Sequence, residues 1–130
     1  MIRTGVYSVQ RVLELVPYGI KSKGQISPVP RADFGGDMIR MDSLRYQLFA
    51  NSVKCVCCGI EGVFFAKELS SPKSKQKTCH LNLYAIDSEG KEVLMTKDHI
   101  VPKSKGGIKN YINNLQVMCK HCNELKGNSL

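Results

Sequence analysis

The feature that most constrains this chain is a pair of Cys-x-x-Cys knuckles, Cys55 with Cys58 and Cys119 with Cys122, separated by some sixty residues. A tetrahedral zinc ion needs four ligands, and two knuckles supply four thiolates with their local turn geometry already set. An ion held this way closes the intervening segment into a loop and ties the start of a domain to its end. That closure counts in a chain of 130 residues, which has room for one functional unit and not for two full cores. Gly59 directly follows the first pair, where the knuckle needs a residue that tolerates positive φ. Cys57 lies inside the first knuckle and competes with its neighbours as a ligand, but the spacing favours Cys55 with Cys58. Cys79 reads as a small buried residue. A site closed by four thiolates is structural, so chemistry has to be sought elsewhere.

The alternative use of six cysteines is three disulfides in a secreted protein. Met1-Ile2-Arg3-Thr4 is not followed by a signal-peptide core, and no stretch reaches the roughly 18 apolar residues that span a bilayer. A cytosolic protein is therefore expected, with no membrane partner, and a reducing compartment favours metal over disulfides. Nineteen Lys and Arg against 11 Asp and Glu leave a formal charge of +8. Such an excess favours polyanionic partners, nucleic acid first among them.

Along the chain, Ser8 to Val16 places Val9, Val12, Leu13 and Val16 at helical spacing, with Ser8 as N-cap and Pro17 past the end. Tyr18 to Asp37, rich in Gly, Pro, Ser and Lys, reads as a loop or exposed arm. The expected division is an N-terminal extension over 1–41 and a compact domain over 42–130. Asp42 or Ser43 caps a second helix through Leu44, Leu48 and Phe49, which leads to the first knuckle. Val63 to Ala66 reads as a short strand, and Ser70 to Lys77 as a basic surface loop. His80 to Ile86 alternates as a half-buried strand does. Asp87 to Gly90 turns the chain, and Lys91 to Ile100 returns as a further strand. Pro102 and Gly106-Gly107 open a long loop, Leu115 to Met118 forms another strand, and a last helix runs from near Lys120 to Gly127. Helices and strands in this order predict an α+β fold.

Between and across the second knuckle run Thr96-Lys97-Asp98-His99-Ile100-Val101-Pro102 and Asn114-Leu115-Gln116-Val117-Met118-Cys119-Lys120-His121-Cys122-Asn123-Glu124-Leu125-Lys126. Asp-His-x-x-Pro, Asn-Leu-Gln and Cys-x-x-Cys-Asn-x-x-Lys together make the segment from about Cys55 to Asn128 resemble the HNH endonuclease family, in its variant with Asn at the third motif position. The first forty residues contribute nothing to the resemblance. It implies a ββα-metal fold, here zinc-stapled, that grips one divalent ion between strand and helix. It further implies His99 as general base, Asp98 and Asn123 as ligands of the catalytic ion, and Asn114 as the residue that holds the hairpin loop.

Chemistry supports these roles independently. A neutral imidazole can take a proton from water at physiological pH. A carboxylate and an amide oxygen are hard ligands that suit Mg²⁺ or Mn²⁺ and leave positions for water and phosphate oxygens. One geometric condition follows: neighbours on a regular strand face opposite ways, so Asp98 and His99 can serve one ion only if the strand ends or twists there.

The implied reaction is hydrolysis of DNA phosphodiester bonds, by nicking or double-strand cleavage, leaving 5′-phosphate and 3′-hydroxyl ends. Lys97, Lys103, Lys105, Lys109, Lys120 and Lys126 surround the proposed centre and are expected to give salt-dependent phosphate affinity without base recognition. Lys73, Lys75 and Lys77 form a second basic group, and Lys21, Lys23, Arg31 and Arg40 a third. No helix-turn-helix or comparable reading module is recognisable, so high specificity on duplex DNA calls for a protein partner or a homodimer. The small size fits a phage or mobile-element protein. The competing reading is a zinc-knuckle module that binds nucleic acid without cutting it, which has no chemical need of His99, Asp98 and Asn123. His80 and His121 receive no role.

Overall fold

A computed structural model describes residues 2–17, 30–69, 79–108 and 111–127. Its strands are β1 (Ile2–Ser8), β2 (Arg31–Phe34), β3 (Asp37–Arg40), β4 (Gly62–Leu69), β5 (Cys79–Ile86), β6 (Glu92–His99) and β7 (Leu115–Cys119). Its helices are α1 (Val9–Leu13), α2 (Leu44–Asn51) and α3 (Lys120–Lys126), with short 3₁₀ turns at Lys103–Lys105 and Ile112–Asn114. The fold is α+β. Five antiparallel strands form one sheet in the order β1-β4-β5-β6-β7, and β2 with β3 forms a separate hairpin.

Hydrophobic alternation in the sheet drives Phe65, Leu81, Leu83, Ala85, Val93 and Met95 to one face. Val12 from α1, Tyr46, Leu48 and Phe49 from α2, and Phe34, Ile39 and Met41 from the hairpin region close over them. Ser43, not Asp42, caps α2, its hydroxyl accepting from the Tyr46 N–H at 3.3 Å. Among the described residues no helix is long and apolar enough to cross a membrane.

Several elements differ from the sequence expectation. The helix expected over Ser8–Val16 is shorter, Val9–Leu13, although Ser8 does cap it, accepting from the Arg11 N–H at 3.1 Å. Ahead of it, residues 2–8 form an unforeseen edge strand on β4, with Arg3 opposite Glu68 and Tyr7 opposite Phe65. Polar Arg3, Thr4 and Ser8 hide that strand from a hydrophobicity reading, because its outer side faces water. The loop expected over Tyr18–Asp37 ends in a hairpin, since Gly35 and Gly36 take positive φ (65° and 96°) and turn β2 into β3. The rest of that arm, with Lys21 and Lys23, and the basic loop Ser70 to Lys77 lie outside the described residues. The strand expected at Val63–Ala66 runs on to Leu69 through two buried charges, Lys67 and Glu68.

Those charges are buried because each is fully engaged. The Lys67 ammonium donates to the Phe34 carbonyl (2.8 Å) and to Asp37 Oδ2 (2.7 Å), which fastens the hairpin to the sheet. Glu68 Oε1 accepts from the Tyr84 hydroxyl (2.5 Å) and from Asn82 Nδ2 (2.8 Å), and Oε2 from Arg3 Nε (3.3 Å). The Arg3 guanidinium lies over the Phe64 and Tyr84 rings, 5.5 and 5.0 Å from their centroids, and reaches both carboxylate oxygens of Glu92 at 2.8 Å. It thereby ties β1 to β6 across two intervening strands.

Burial works against ionisation of Glu68, yet the hydrogen bonds from Tyr84 and Asn82 and the charge of Arg3 outweigh it and hold its carboxyl below the ordinary carboxylate range. A depressed pKa in the folded state means that the stabilisation is complete above the unfolded-state value of about 4.3 and is lost as pH falls through the folded value. The urea midpoint should therefore drop on acidification from about pH 5 to about pH 3. Glu68→Gln should be less stable at neutral pH and show a shallower acid limb. An unchanged limb in the variant would remove Glu68 from the acid response.

Candidate functional site

Strand β6 changes partner along its length. Residues 92–94 pair with β5, with Tyr84 opposite Leu94, whereas Met95 to His99 pair with β7. In that second register Met95 lies opposite Cys119, Thr96 opposite Met118, Asp98 opposite Gln116 and His99 opposite Leu115. Cys119 ends β7 and begins the turn into α3, its sulfur accepting from the Cys122 N–H at 3.5 Å. The helix is thus launched from the strand that positions Thr96 and Asp98.

Two side chains of α3, three residues apart and so on one face, meet two side chains of β6, two residues apart and so on one face. Asn123 Nδ2 donates to Thr96 Oγ1 at 2.9 Å, and the Thr96 hydroxyl donates to the Met118 carbonyl at 2.8 Å. Lys126 Nζ donates to Asp98 Oδ2 at 2.6 Å, and Gln116 Nε2 donates to the same oxygen at 2.9 Å. Asp98 is buried. With its amide nitrogen spent on Thr96, Asn123 retains its amide oxygen for a ligand.

His99 lies half-buried at the end of β6, where the strand stops. The Ile100 N–H donates to the Asn114 carbonyl (2.8 Å), and Asn114 then binds the backbone beyond it. Asn114 Oδ1 accepts from the Val101 N–H (2.9 Å), while Nδ2 donates to the carbonyls of Val101 (3.1 Å) and Ile108 (3.0 Å). One side-chain amide thus stands in for a strand partner and pins both ends of the loop. Because the strand ends there, Asp98 and His99 line one pocket of about 330 Å³, together with Lys97, Pro102, Lys103, Ser104, Asn123 and Gly127.

Of the basic residues singled out in the sequence, Lys97 and Lys103 line this pocket. Lys105 and Lys120 are exposed outside its lining, and Lys126 is directed at Asp98. Lys109 lies outside the described residues. Sequence reasoning assigned no role to Thr96 and Gln116, although both fall within the motif segment. Aligning Asn-Leu-Gln against Asp-His as an antiparallel pair sets Gln116 opposite Asp98, and that register was the available signal.

The second cluster lies at the other end of β7. The sulfurs of Cys55, Cys58, Cys119 and Cys122 lie within 4.8 Å of one another. Cys57 is exposed and outside this group of four. Zinc–sulfur bonds of about 2.3 Å imply tetrahedral sulfur–sulfur edges of about 3.8 Å, and Cys58 and Cys119 are 3.8 Å apart. The first knuckle is closed by the Gly59 N–H on the Cys55 carbonyl (3.0 Å) and the Cys55 N–H on Ile60 (2.9 Å), with Gly59 at φ 81°. The Val56 N–H bonds to the Val117 carbonyl (3.0 Å) and joins this knuckle to β7.

Burial opposes ionisation of Cys55, but the backbone N–H groups of Cys58, Cys119 and Cys57 overcome it and bring its thiol down to about 6. Burial and neighbouring sulfurs push the Cys119 and Cys122 thiols up. Four thiols this close cannot all ionise without a cation among them, so the donor set fits a soft divalent metal.

Residues 86–129 match the family model described as HNH endonuclease. The matched segment contains Asp98, His99, Asn114, Cys119, Cys122 and Asn123, and excludes Cys55 and Cys58. Comparison with curated proteins and with solved structures gives no match.

The three hydrogen bonds of Asn114 carry a direct expectation. Asn114→Ala leaves the Val101 N–H and two carbonyls without their partner, which should cost about 1–3 kcal/mol. Amide exchange at Val101 should accelerate well beyond that in the β4–β5 ladder. Equal protection of Val101 in variant and wild type would show that other contacts hold the loop.

Proposed function

We propose that this protein, whose residues 86–129 match the HNH endonuclease family model, is a metal-dependent endonuclease that hydrolyses DNA phosphodiester bonds, with His99 as general base. The observation that carries the reading is the single pocket shared by Asp98, His99 and Asn123, three residues of the types such hydrolysis needs, lined besides by Lys97 and Lys103. Asp98 and Asn123 would hold the catalytic ion, Mg²⁺ or Mn²⁺, through oxygen atoms. Such an ion supplies charge neutralisation at the phosphate and at the departing oxygen.

The residues of the chain do the remaining work. Thr96 fixes the amide of Asn123, and Gln116 fixes the carboxylate of Asp98, so both enter the pocket already oriented. Asn114 ends the strand and lets the His99 imidazole reach the same space, where it takes a proton from the attacking water. Lys97 and Lys103 neutralise the phosphodiester in place, and exposed Lys105 and Lys120 extend the contact along duplex DNA. Zinc at Cys55, Cys58, Cys119 and Cys122 would be structural, anchoring β7 and α3 to the segment that follows α2.

Nicking of supercoiled plasmid by purified protein should stop on brief EDTA treatment and return with Mg²⁺ or Mn²⁺. His99→Ala should lower the rate by about 10²–10⁴-fold while zinc content, fold and DNA affinity stay close to wild type. Cleavage that persists in His99→Ala would exclude His99 as the base. A wild type that binds DNA under every metal condition and never cuts would instead identify a nucleic-acid-binding module.

For the staple, Cys119→Ser should reduce bound zinc from one ion per chain and lower the melting temperature, because metal binding contributes to folding directly. Full zinc content in that variant would contradict the assignment.

A further inference from the structure

We infer that Lys126 is a resident counter-ion for Asp98 and keeps the affinity of the pocket for divalent ions low until a phosphodiester arrives. The inference rests on the metal-binding reading of the pocket and assigns Lys126 a task distinct from that of the other basic residues around it. Its ammonium lies 2.6 Å from Asp98 Oδ2 and 2.6 Å from the His99 carbonyl. The two side chains are only 12% and 9% exposed. Lys97, Lys103, Lys105 and Lys120 are all exposed, and the Lys120 pair with Glu124 is 4.0 Å long with both partners in water.

The electrostatic consequence follows from this placement. A carboxylate withdrawn from water needs a compensating charge, and Lys126 provides it from within the chain. A divalent ion approaching Asp98 meets a carboxylate whose attraction is already partly cancelled by a cation in direct contact. The same ammonium binds the His99 carbonyl, so it secures the end of β6 while it neutralises Asp98. Phosphate in the pocket adds negative charge on the side lined by Lys97 and Lys103 and tips the balance back toward the divalent ion. Metal loading and DNA binding are thereby coupled, each raising the affinity for the other.

The test is Mn²⁺ binding to the zinc-loaded full chain, measured by electron paramagnetic resonance and by the Mn²⁺-induced shift in melting temperature. Lys126→Gln keeps a donor for the carboxylate and removes the charge; Lys126→Arg keeps the charge. The Gln variant should bind Mn²⁺ at least roughly fivefold more tightly than wild type, and the Arg variant within about twofold of it. A short DNA duplex should tighten Mn²⁺ binding in wild type more than in Lys126→Gln. Asp98→Asn should lose the site altogether. If Asp98→Asn loses binding but Lys126→Gln matches wild type or is weaker, the counter-ion role is wrong and the metal site stands. If Asp98→Asn binds Mn²⁺ like wild type, the reading of the pocket itself falls, and the counter-ion role with it.

Discussion

The pairing of Met95 with Cys119 is the contact on which the rest of the site depends. At this point β6 leaves β5 for β7, β7 ends, α3 begins, and two of the four clustered sulfurs enter the structure. A shift of one residue in this register would turn Thr96 and Asp98 away from α3 and move Cys119 away from Cys58. The thiol cluster and the pocket are therefore coupled through one strand, although their residues do not overlap.

On the proposed reading the two clusters would divide metal chemistry between them by ligand type. Four sulfurs converge on one point and leave no open position, the arrangement of a structural site. Asp98 and Asn123 contribute oxygens from two elements around an open pocket, an arrangement that leaves room for water and substrate. Each is held by groups that would not themselves bind the ion: backbone N–H groups around the Cys55 sulfur, the Thr96 side chain behind Asn123, and the Gln116 and Lys126 side chains behind Asp98. Orientation of this kind restricts a ligand before any ion arrives.

Buried charge is managed differently at the two ends of the sheet. Glu68 is enclosed by Arg3 of β1 and by Asn82 and Tyr84 of β5 and serves to bind the edge strand β1 to the rest. Asp98 is paired with a lysine from the last turn of a short helix, at the margin of an open pocket. The first arrangement is closed on all sides and belongs to stability. The second has one open side, toward the pocket.

The sequence by itself determined the elements with strong local signals. The cysteine spacing and Gly59 specify the knuckles, Ser8 caps α1, Asp42-Ser43 marks the start of α2, Asp87 to Gly90 turns β5 toward β6, and Gly127 ends α3. The motif residues Asp98, His99, Asn114 and Asn123 were equally legible, because their types and order are local facts of the chain. Tertiary structure alone decided that residues 2–8 form a strand, since such a polar edge strand is stabilised by its partner and by the reach of Arg3 to Glu92. It alone decided that Lys67 and Glu68 are buried, and that Lys126 turns from solvent to Asp98. In each case a charge leaves water only where distant segments supply its partner, and no local pattern of residues records which segment that will be.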